Sequence, residues 1–292
     1  MQRIAVVGVP GGWSSELLAD TVGEKTGFRL LVDPADMAVD LASGSVMCQG
    51  YDLAAMDAVM VKKVGPAYSA DLMDRLEMLR LVARSGVPMF SDPERIMRMI
   101  DRLSCTVTLR LGNIPMPDTV VTESVDLACQ AVARFGRAVF KPLYTSKARG
   151  MVVVENNDVA RDEILSFQNN GNPVMYIQRM VEHMGKDLGV TFLGGRYLAT
   201  YARAGSEKSW NTTTRSGGMY QPYDPPREIV DLAQRAQDLF GLDFTCVDVV
   251  ETPDGPKVFE VSAFGGFRGL LVANGIKVNE LFVDHVLARI GA

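Results

Sequence analysis

The stretch FTCVDVVETPDGPKVFEVSAFGG, residues 244–266, contains two apolar segments separated by a turn. The Asp-Gly dipeptide inside ETPDGPK is typical of a β-hairpin turn, so the two segments are predicted to be neighbouring antiparallel strands. Each segment carries one acid, Asp248 in the first and Glu260 in the second, between strongly apolar neighbours. Because opposed residues of antiparallel strands share a face, the hairpin can bring both carboxylates together.

A pair of neighbouring carboxylates indicates a cation site. Two acids held close together repel unless a cation joins them, and hard oxygen ligands suit Mg²⁺. Ser262 follows Glu260 by two residues and so lies on the same face of the strand. We interpret Asp248, Glu260 and Ser262 as metal ligands. The alternative is an exposed face of an edge strand, which the apolar neighbours disfavour.

The bulk composition favours small-molecule chemistry. The chain has 292 residues, 47% of them hydrophobic, with a formal net charge of -5. This charge gives no basic excess for a general nucleic-acid surface. The four cysteines form no CxxC pair, and no apolar stretch reaches the roughly 20 residues of a membrane-spanning helix. We therefore expect a cytoplasmic protein without nucleic-acid or membrane partners.

The order of apolar segments divides the chain into three predicted parts. Residues 1–93 alternate strands with helices, which predicts an amino-terminal parallel α/β domain. Residues 94–112 are predicted to be one helix, and residues 94–177 continue as an α+β unit. Mixed strands over residues 178–292 predict a second α+β unit. The expected fold class is therefore α/β, with a parallel domain followed by two α+β subdomains.

The segment KPLYTSKARG places a lysine at the end of an apolar strand. An unpaired ammonium is costly to bury, so Lys141 is well placed to meet phosphate oxygens in a cleft. The loop that follows mixes hydroxyls, cations and a glycine, and could close over a polyphosphate. It supplies Thr145, Ser146, Lys147, Arg149 and Gly150. A solvated hairpin turn is the alternative.

The segment RYLATYARAGSEKSWNTTTRSGG places two arginines near a glycine-rich loop. Arg203 ends a strand, and Arg215 follows a run of hydroxyl and amide side chains. Arginines on such a loop could stabilise charge that develops during phosphoryl transfer. A surface loop without a function is the alternative.

Taken together and in this order, these segments resemble the ATP-grasp superfamily over residues 94–292. The resemblance is strongest to its carboxylate–amine ligases of the ribosomal-protein glutamate ligase (RimK-like) branch. It implies that the two α+β subdomains clasp ATP between them. The amino-terminal α/β unit resembles the domain that usually precedes them.

The resemblance implies a role for each matching position. IDRL matches a helix motif in which Arg102 replaces a nucleotide-binding lysine, and YIQRMV matches the hinge that presents backbone groups to adenine. Asp187 is expected near the ribose. The implied cofactor-binding residues are Arg102, Lys141, Ser146, Lys147, Gln178, Arg179, Met180, Val181 and Asp187. Arg203 and Arg215 are the implied catalytic residues, and Asp248, Glu260 and Ser262 the implied metal ligands.

Four positions depart from the family pattern. Ser262 stands where asparagine is usual, which replaces an amide oxygen by a shorter hydroxyl and would weaken one Mg²⁺ site or leave it to water. Arg102 keeps the charge of lysine but changes its shape. Gly189 stands where an arginine is common, and Thr213 where an asparagine is common.

The resemblance implies an ATP- and Mg²⁺-dependent ligase, with Mn²⁺ as an alternative metal. It would form an amide or peptide bond through an acylphosphate, from small-molecule or peptide carboxylate and amine substrates. An ATP-grasp-like small-molecule kinase and an inactive nucleotide-binding regulatory module are alternatives. Lys147, Arg149, Arg215 and Arg268 favour an anionic acceptor, although ATP alone could account for them. Homo-oligomerisation is compatible with the sequence but is not determined by it.

Overall fold

The structure is a computed structural model that describes residues 2–69, 71–146, 148–182, 185–205, 212 and 217–291. Its fold is mixed α/β, as predicted, with a parallel sheet followed by larger antiparallel sheets. Within these ranges no helix is both long and apolar enough to span a membrane.

The amino-terminal unit alternates short strands with helices, as its apolar segments predict. Its elements are β1 (Ile4–Val7), α1 (Trp13–Thr26), β2 (Leu30–Val32), β3 (Ala38–Asp40), β4 (Ser45–Cys48), β5 (Tyr51–Asp52), β6 (Ala58–Val61), α2 (Asp71–Arg84) and β7 (Met89–Phe90). Strands β2, β1, β6 and β7 pair in parallel in that order. Every residue of β1 and β6 is apolar and buried, which is typical of parallel strands covered on both faces. Strands β3 to β5 form a separate antiparallel meander that the sequence did not indicate.

The prediction of one helix over residues 94–112 is wrong. Two helices occupy this region, α3 (Pro93–Ile100) and α4 (Arg102–Leu111). Asp101 between them has an extended backbone, and its side chain accepts a hydrogen bond from the backbone N–H of Leu103. An aspartate in this position is a favourable helix cap, so it stabilises the start of a new helix. The break places Arg102 in the first turn of α4.

The second sheet is antiparallel throughout. Its elements are β8 (Thr119–Thr122), α5 (Val125–Phe135), β9 (Arg137–Lys141), β10 (Val152–Glu155), α6 (Ala160–Asn169) and β11 (Met175–Arg179). The strand order is β10-β9-β11-β8. The predicted domain limit between residues 177 and 178 falls inside β11, which pairs with β8 and β9 up to its carboxyl end. The other domain limits stay predictions.

The third sheet contains the hairpin with the two acids. Its elements are β12 (Lys186–Leu193), β13 (Arg196–Ala204), β14 (Met219–Pro222), α7 (Arg227–Asp238), β15 (Phe244–Thr252), β16 (Gly255–Ser262), α8 (Phe267–Asn274) and α9 (Val278–Ile290). The strand order is β14-β13-β12-β15-β16, and all neighbouring pairs are antiparallel.

The hydrophobic cores show which units are joined. Val7 and Val59 of the amino-terminal sheet belong to the same core as Val190 and Val249 of the third sheet. The second sheet and its helices α5 and α6 have a core of their own, with Phe140 among its members. The amino-terminal unit and the third sheet therefore form one body, and the second sheet lies against it as a separate unit.

The ring of Tyr201 determines which side chains fit on one face of the third sheet. Tyr201 on β13 is buried and lies directly opposite Gly189 on β12. A Cβ atom at Gly189 would lie 2.3 Å from the Cζ of this ring, and one at Gly269 would lie 2.5 Å from the same atom. The ring thus fills the space that a side chain at position 189 would need, which explains the glycine found there.

Substitution of Gly189 by alanine is expected to destabilise the protein. Overpacking a well-filled core costs about 1–3 kcal/mol, so the free energy of unfolding measured by urea denaturation should fall by this amount in Gly189→Ala. In a Tyr201→Ala background the same substitution should cost clearly less, because the obstructing ring is gone. Equal losses in both backgrounds would contradict the steric explanation.

Candidate active site

A cleft of about 670 Å³ runs between the second and third sheets and reaches the loops of the amino-terminal unit. Every predicted site residue that the structure describes lines it. These residues are Arg102, Lys141, Ser146, Gln178, Arg179, Met180, Val181, Asp187, Arg203, Asp248, Glu260 and Ser262. Lys147, Arg215 and Thr213 lie outside the described residues. The structure therefore gathers the predicted set, while the role of each member stays a prediction.

The two acids of the hairpin face each other. Asp248 on β15 is directly paired with Glu260 on β16. Burial raises the pKa of Asp248 to about 7; Arg203 opposes this shift, and the negative charge of Glu260 adds to it. A bulge next to this pair leaves Phe259 as an extra residue in β16, and its ring lies 5.1 Å from the Lys141 Nζ.

Arg102 joins three parts of the cleft. Its side chain is only 8% exposed, and its Nη1 donates to the Glu260 Oε2 at 3.1 Å. Its Nε and Nη2 donate to the backbone carbonyls of Pro142 and Thr145, at 3.2 and 3.0 Å. The guanidinium thus fixes the loop after β9 relative to the acid on β16. A fork of rigid donors suits this task better than a lysine ammonium would.

Lys141 and Gln178 form a buried polar pair on the second sheet. The Lys141 Nζ donates to the Gln178 Oε1 at 2.6 Å. Burial and the charge of Arg102 lower the pKa of Lys141 to about 7, although Glu260 and Asp248 oppose this shift. An anion bound next to this ammonium would restore its charged form.

In the segment from Gln178 to Val181, some backbone N–H groups already donate within the protein and cannot bind a ligand. The N–H groups of Arg179 and Met180 donate to the carbonyls of Asp118 and Arg137. Within the described ranges, the Val181 N–H has no hydrogen-bond acceptor. If this segment presents a backbone donor to adenine, as the resemblance implies, Val181 is the position that can supply it.

Arg203 lies between a buried carboxylate, that of Asp187, and a half-buried one, that of Asp248. Its guanidinium binds both oxygens of Asp187 and donates to the Asp248 Oδ1, with the Asp248 contact at 2.9 Å. Thr212 also donates to Asp187. Burial by itself would lower the pKa of Arg203, but Asp248 and Asp187 hold it well above its usual range. Asp187, which the resemblance places near a ribose, is thus occupied with orienting Arg203.

Ser262 and the loop after β9 also lie at the cleft. Ser262 is two residues beyond Glu260, and its Oγ accepts the backbone N–H of Phe264 at 3.2 Å. This bond holds the turn that follows β16 while the hydroxyl still lines the cleft. In the loop, the Arg149 Nε donates to the carbonyl of Ser146. Gly150 adopts a φ of 68°, a conformation that favours glycine.

The sequence interpretation missed the cleft residues that the amino-terminal unit contributes, among them Lys62 and Tyr68. Lys62 directly follows β6, in the segment DAVMVKKV. A lysine at the end of an apolar strand is the signal that identified Lys141 in RAVFKPL, so the same criterion could have found Lys62. Tyr68 carries no comparable signal, because its position depends on the packing of the loop after β6.

The oxygen donors at the hairpin fit a magnesium ion. Within the described ranges no group of three or more His, Cys, Asp or Glu side chains forms a metal site. Asp248 and Glu260 nevertheless face each other, and their mutual repulsion contributes to the raised pKa of Asp248. A divalent cation between them would relieve this repulsion, and oxygen ligands together with water suit Mg²⁺. Ser262 can add a hydroxyl oxygen from the same strand.

Comparisons with known proteins agree with this geometry. The sequence profile of the RimK-like ATP-grasp domain matches residues 99–286. The tetrahydromethanopterin:alpha-L-glutamate ligase of Methanosarcina acetivorans is 23% identical over 320 aligned residues, which cover 98% of this chain and 99% of that protein.

Two solved structures share the fold. The ATP-grasp ligase PsnB, complexed with a phosphomimetic variant of its minimal precursor, Mg and ADP, has a TM-score of 0.78 at 18% identity, with 99% of both chains covered. The RimK domain ATP-grasp protein of Sphaerobacter thermophilus has a TM-score of 0.75 at 23% identity, covering 97% of this chain and 98% of that one. At these identities the likeness establishes the fold.

The raised pKa of Asp248 predicts that Mg²⁺ affinity depends on pH. A carboxylate must be ionised to bind the cation, so affinity should rise with pH through about 7. The ionised fraction of such a group increases about tenfold between pH 6 and pH 8, and calorimetric titration with Mg²⁺ should show a rise of this size.

The matched control for this titration is Asp243→Asn. Burial also raises the pKa of Asp243, but this residue does not line the cleft. The Asp243→Asn protein should keep the pH dependence, whereas Asp248→Asn should bind Mg²⁺ weakly at every pH. Equal affinity of the wild-type protein at pH 6 and pH 8 would contradict the assignment.

Proposed function

The chain belongs to the family of RimK-like ATP-grasp domains and is an ATP-dependent carboxylate–amine ligase, and we propose that its cleft activates a substrate carboxylate as an acylphosphate. The amine of an acidic amino acid would then displace phosphate to form an amide. One observation carries this proposal: the Asp248–Glu260 pair, Lys141 and Arg102 line the same cleft.

The cations on the second-sheet side of the cleft suit the phosphates of ATP. The Lys141 ammonium is buried against Gln178, and a bound phosphate would favour its charged form. Arg102 is held by two backbone carbonyls, so its charge is in place before any substrate arrives. Preorganised donors of this kind stabilise developing charge without further rearrangement.

Asp248 and Glu260 would hold Mg²⁺, with Ser262 or water completing the set; Mn²⁺ in its place stays a prediction. Bound there, the metal would supply positive charge to the phosphates during transfer. The protein's own contribution is to orient both carboxylates. Arg203 does this for Asp248, and Arg102 does it for Glu260.

Arg203 is proposed to stabilise the transferring phosphoryl group and the tetrahedral oxyanion, together with Arg215. Its two acidic partners fix the plane of its guanidinium beside Asp248. A fixed, permanently charged group placed near the reacting atoms favours the charged transition state over the ground state.

The substrate class follows from the relatives. The archaeal relative is named for the ligation of alpha-L-glutamate, and PsnB is described with a precursor peptide. We infer L-glutamate or a similar acidic amino acid as the amine substrate, and a small-molecule or peptide carboxylate as the acceptor. The relatives found are ligases, which does not favour a small-molecule kinase or an inactive regulatory module.

An acylphosphate intermediate can be trapped with hydroxylamine. With ATP, Mg²⁺ and a panel of carboxylates such as glutarate and N-acetyl-L-glutamate, the protein should convert an accepted carboxylate into its hydroxamate. With L-glutamate instead of hydroxylamine, ADP release should require both substrates. A stable phosphorylated product formed without any amine would support the kinase alternative instead.

Loss of Lys141 should impair the use of ATP. Removing one preorganised charge from a transition state costs about 10²–10³-fold in rate, so kcat/KM for ATP should fall by this factor in Lys141→Met. The matched control is Lys277→Met, because this exposed lysine pairs with Glu280 on α9 and does not line the cleft. An unchanged kcat/KM in Lys141→Met would contradict the assigned role.

A further inference from the structure

Lys62 is a buried cation that the mechanism above does not use. It directly follows β6, it is only 1% exposed, and it lines the cleft. Its Nζ donates to the backbone carbonyl of Phe264 at 2.9 Å and lies 3.8 Å from the centre of the Phe267 ring. In the part of the chain that the structure describes, no carboxylate forms an ion pair with it.

This arrangement costs stability. Burial and then the charge of Lys63 lower the pKa of Lys62 to about 7, although Cys246 opposes this shift. A buried ammonium without an anionic partner is expensive, and one carbonyl and one aromatic face offset only part of the cost.

Lys62 and the proposed nucleotide cations contact different residues at the carboxyl end of β16 and beyond it. At Phe259 and Glu260, strand β16 contacts Lys141 and Arg102. Lys62 contacts Phe264, two residues beyond Ser262. Lys62 is therefore held by the turn after β16, beyond the residues that the nucleotide cations contact, and the mechanism above assigns no phosphate contact to it.

A second cation lines the same cleft. Arg268 directly follows Phe267 in the first turn of α8, lines the cleft and is exposed. Its guanidinium lies 4.9 Å from the centre of the Trp13 ring at the start of α1. No acid pairs with it among the described residues. The start of α8 adds backbone N–H groups, which favour an anion at the same place.

We propose that Lys62 and Arg268 bind a carboxylate group of the amino-acid amine substrate. The site rests on the proposed ligase function and adds to it the position of the amine substrate. An arginine fork and a lysine ammonium together suit a carboxylate, and desolvation around Lys62 strengthens the interaction. The amino-terminal unit thereby contributes directly to substrate binding. Binding of the anion would also restore the charged form of Lys62.

Calorimetric titration with L-glutamate tests this site. The wild-type protein should bind L-glutamate, and Lys62→Met should weaken binding at least about tenfold, a loss of about 1.4 kcal/mol. Arg268→Gln should weaken it less, because Arg268 is exposed. The control Lys277→Met should bind as the wild type does, and ADP affinity should be unchanged in all variants.

Two analogues identify the carboxylate that the cations hold. L-glutamine lacks the side-chain carboxylate, and L-isoglutamine lacks the α-carboxylate. The analogue that binds the wild-type protein weakly, and is little affected by Lys62→Met, has lost the group that Lys62 contacts. If Lys62→Met binds L-glutamate as tightly as the wild type does, or if the wild type does not bind it, the proposal is overturned.

Thermal unfolding separates binding from a structural role. Because an unpaired ammonium is removed from a buried position, Lys62→Met should melt at or above the temperature of the wild-type protein. If Lys62 instead serves only to hold the amino-terminal unit against the loop after β16, Lys62→Met should melt at a lower temperature and bind L-glutamate with unchanged affinity. That result would overturn the proposal.

Hydroxylamine distinguishes this proposal from the ligase function on which it rests. Hydroxylamine carries no carboxylate, so Lys62→Met should still form hydroxamate at the wild-type rate while it ligates L-glutamate poorly. If the wild-type protein forms no hydroxamate, the ligase function fails. If Lys62→Met loses hydroxamate formation as well, Lys62 acts on the acceptor carboxylate or on ATP, and the amine-substrate site is wrong.

Discussion

The repulsion between the carboxylates of Asp248 and Glu260 is the constraint on which the polar groups of the cleft depend. The two acids face each other across hydrogen-bonded strands, and each is bound by an arginine. Asp248 and Glu260 occupy one register position of the β15–β16 hairpin, so strand pairing holds their backbones opposite each other. Arg203 neutralises the first and Arg102 the second. Arg203 contacts the Oδ1 of Asp248, and Arg102 contacts the Oε2 of Glu260. The other oxygen of each carboxylate can therefore still bind a cation.

The two arginines differ in which parts of the protein their other contacts join. Arg203 is held within the third sheet, because its other partner Asp187 lies on the neighbouring strand. Arg102 connects units, since it also donates to carbonyls in the loop after β9. The second sheet has its own hydrophobic core and is joined to the rest of the protein at the cleft partly through this side chain. Polar contacts thus position the two halves of the cleft, while apolar packing stabilises each half.

Two lysines at strand ends line the cleft. Lys141 on the second sheet and Lys62 after β6 both have a pKa lowered to about 7, in each case first by burial. Neither has a carboxylate partner within ion-pair distance among the described residues. Such groups do not stabilise the folded protein, and a bound ligand anion would offset the cost of burying them. The charge pattern of the cleft is accordingly suited to two anionic ligands, one at each lysine.

The sequence by itself determined the features that depend on local spacing. The hairpin turn fixed Asp248 opposite Glu260, the alternation of strands and helices predicted the parallel unit, and the order of motifs identified the family. A helix break within residues 94–112 was missed, because a capping aspartate between two helical segments leaves the apolar pattern intact. Tertiary structure alone decided that Arg102 donates to Glu260, and that Lys62 enters the cleft beside the carbonyl of Phe264. These contacts join residues far apart in the chain, which no local spacing encodes. Within the β12–β13 hairpin, strand pairing places Tyr201 opposite Gly189 and Arg203 opposite Asp187, but only the structure shows that the ring fills the space beside the glycine and that the arginine binds the acid.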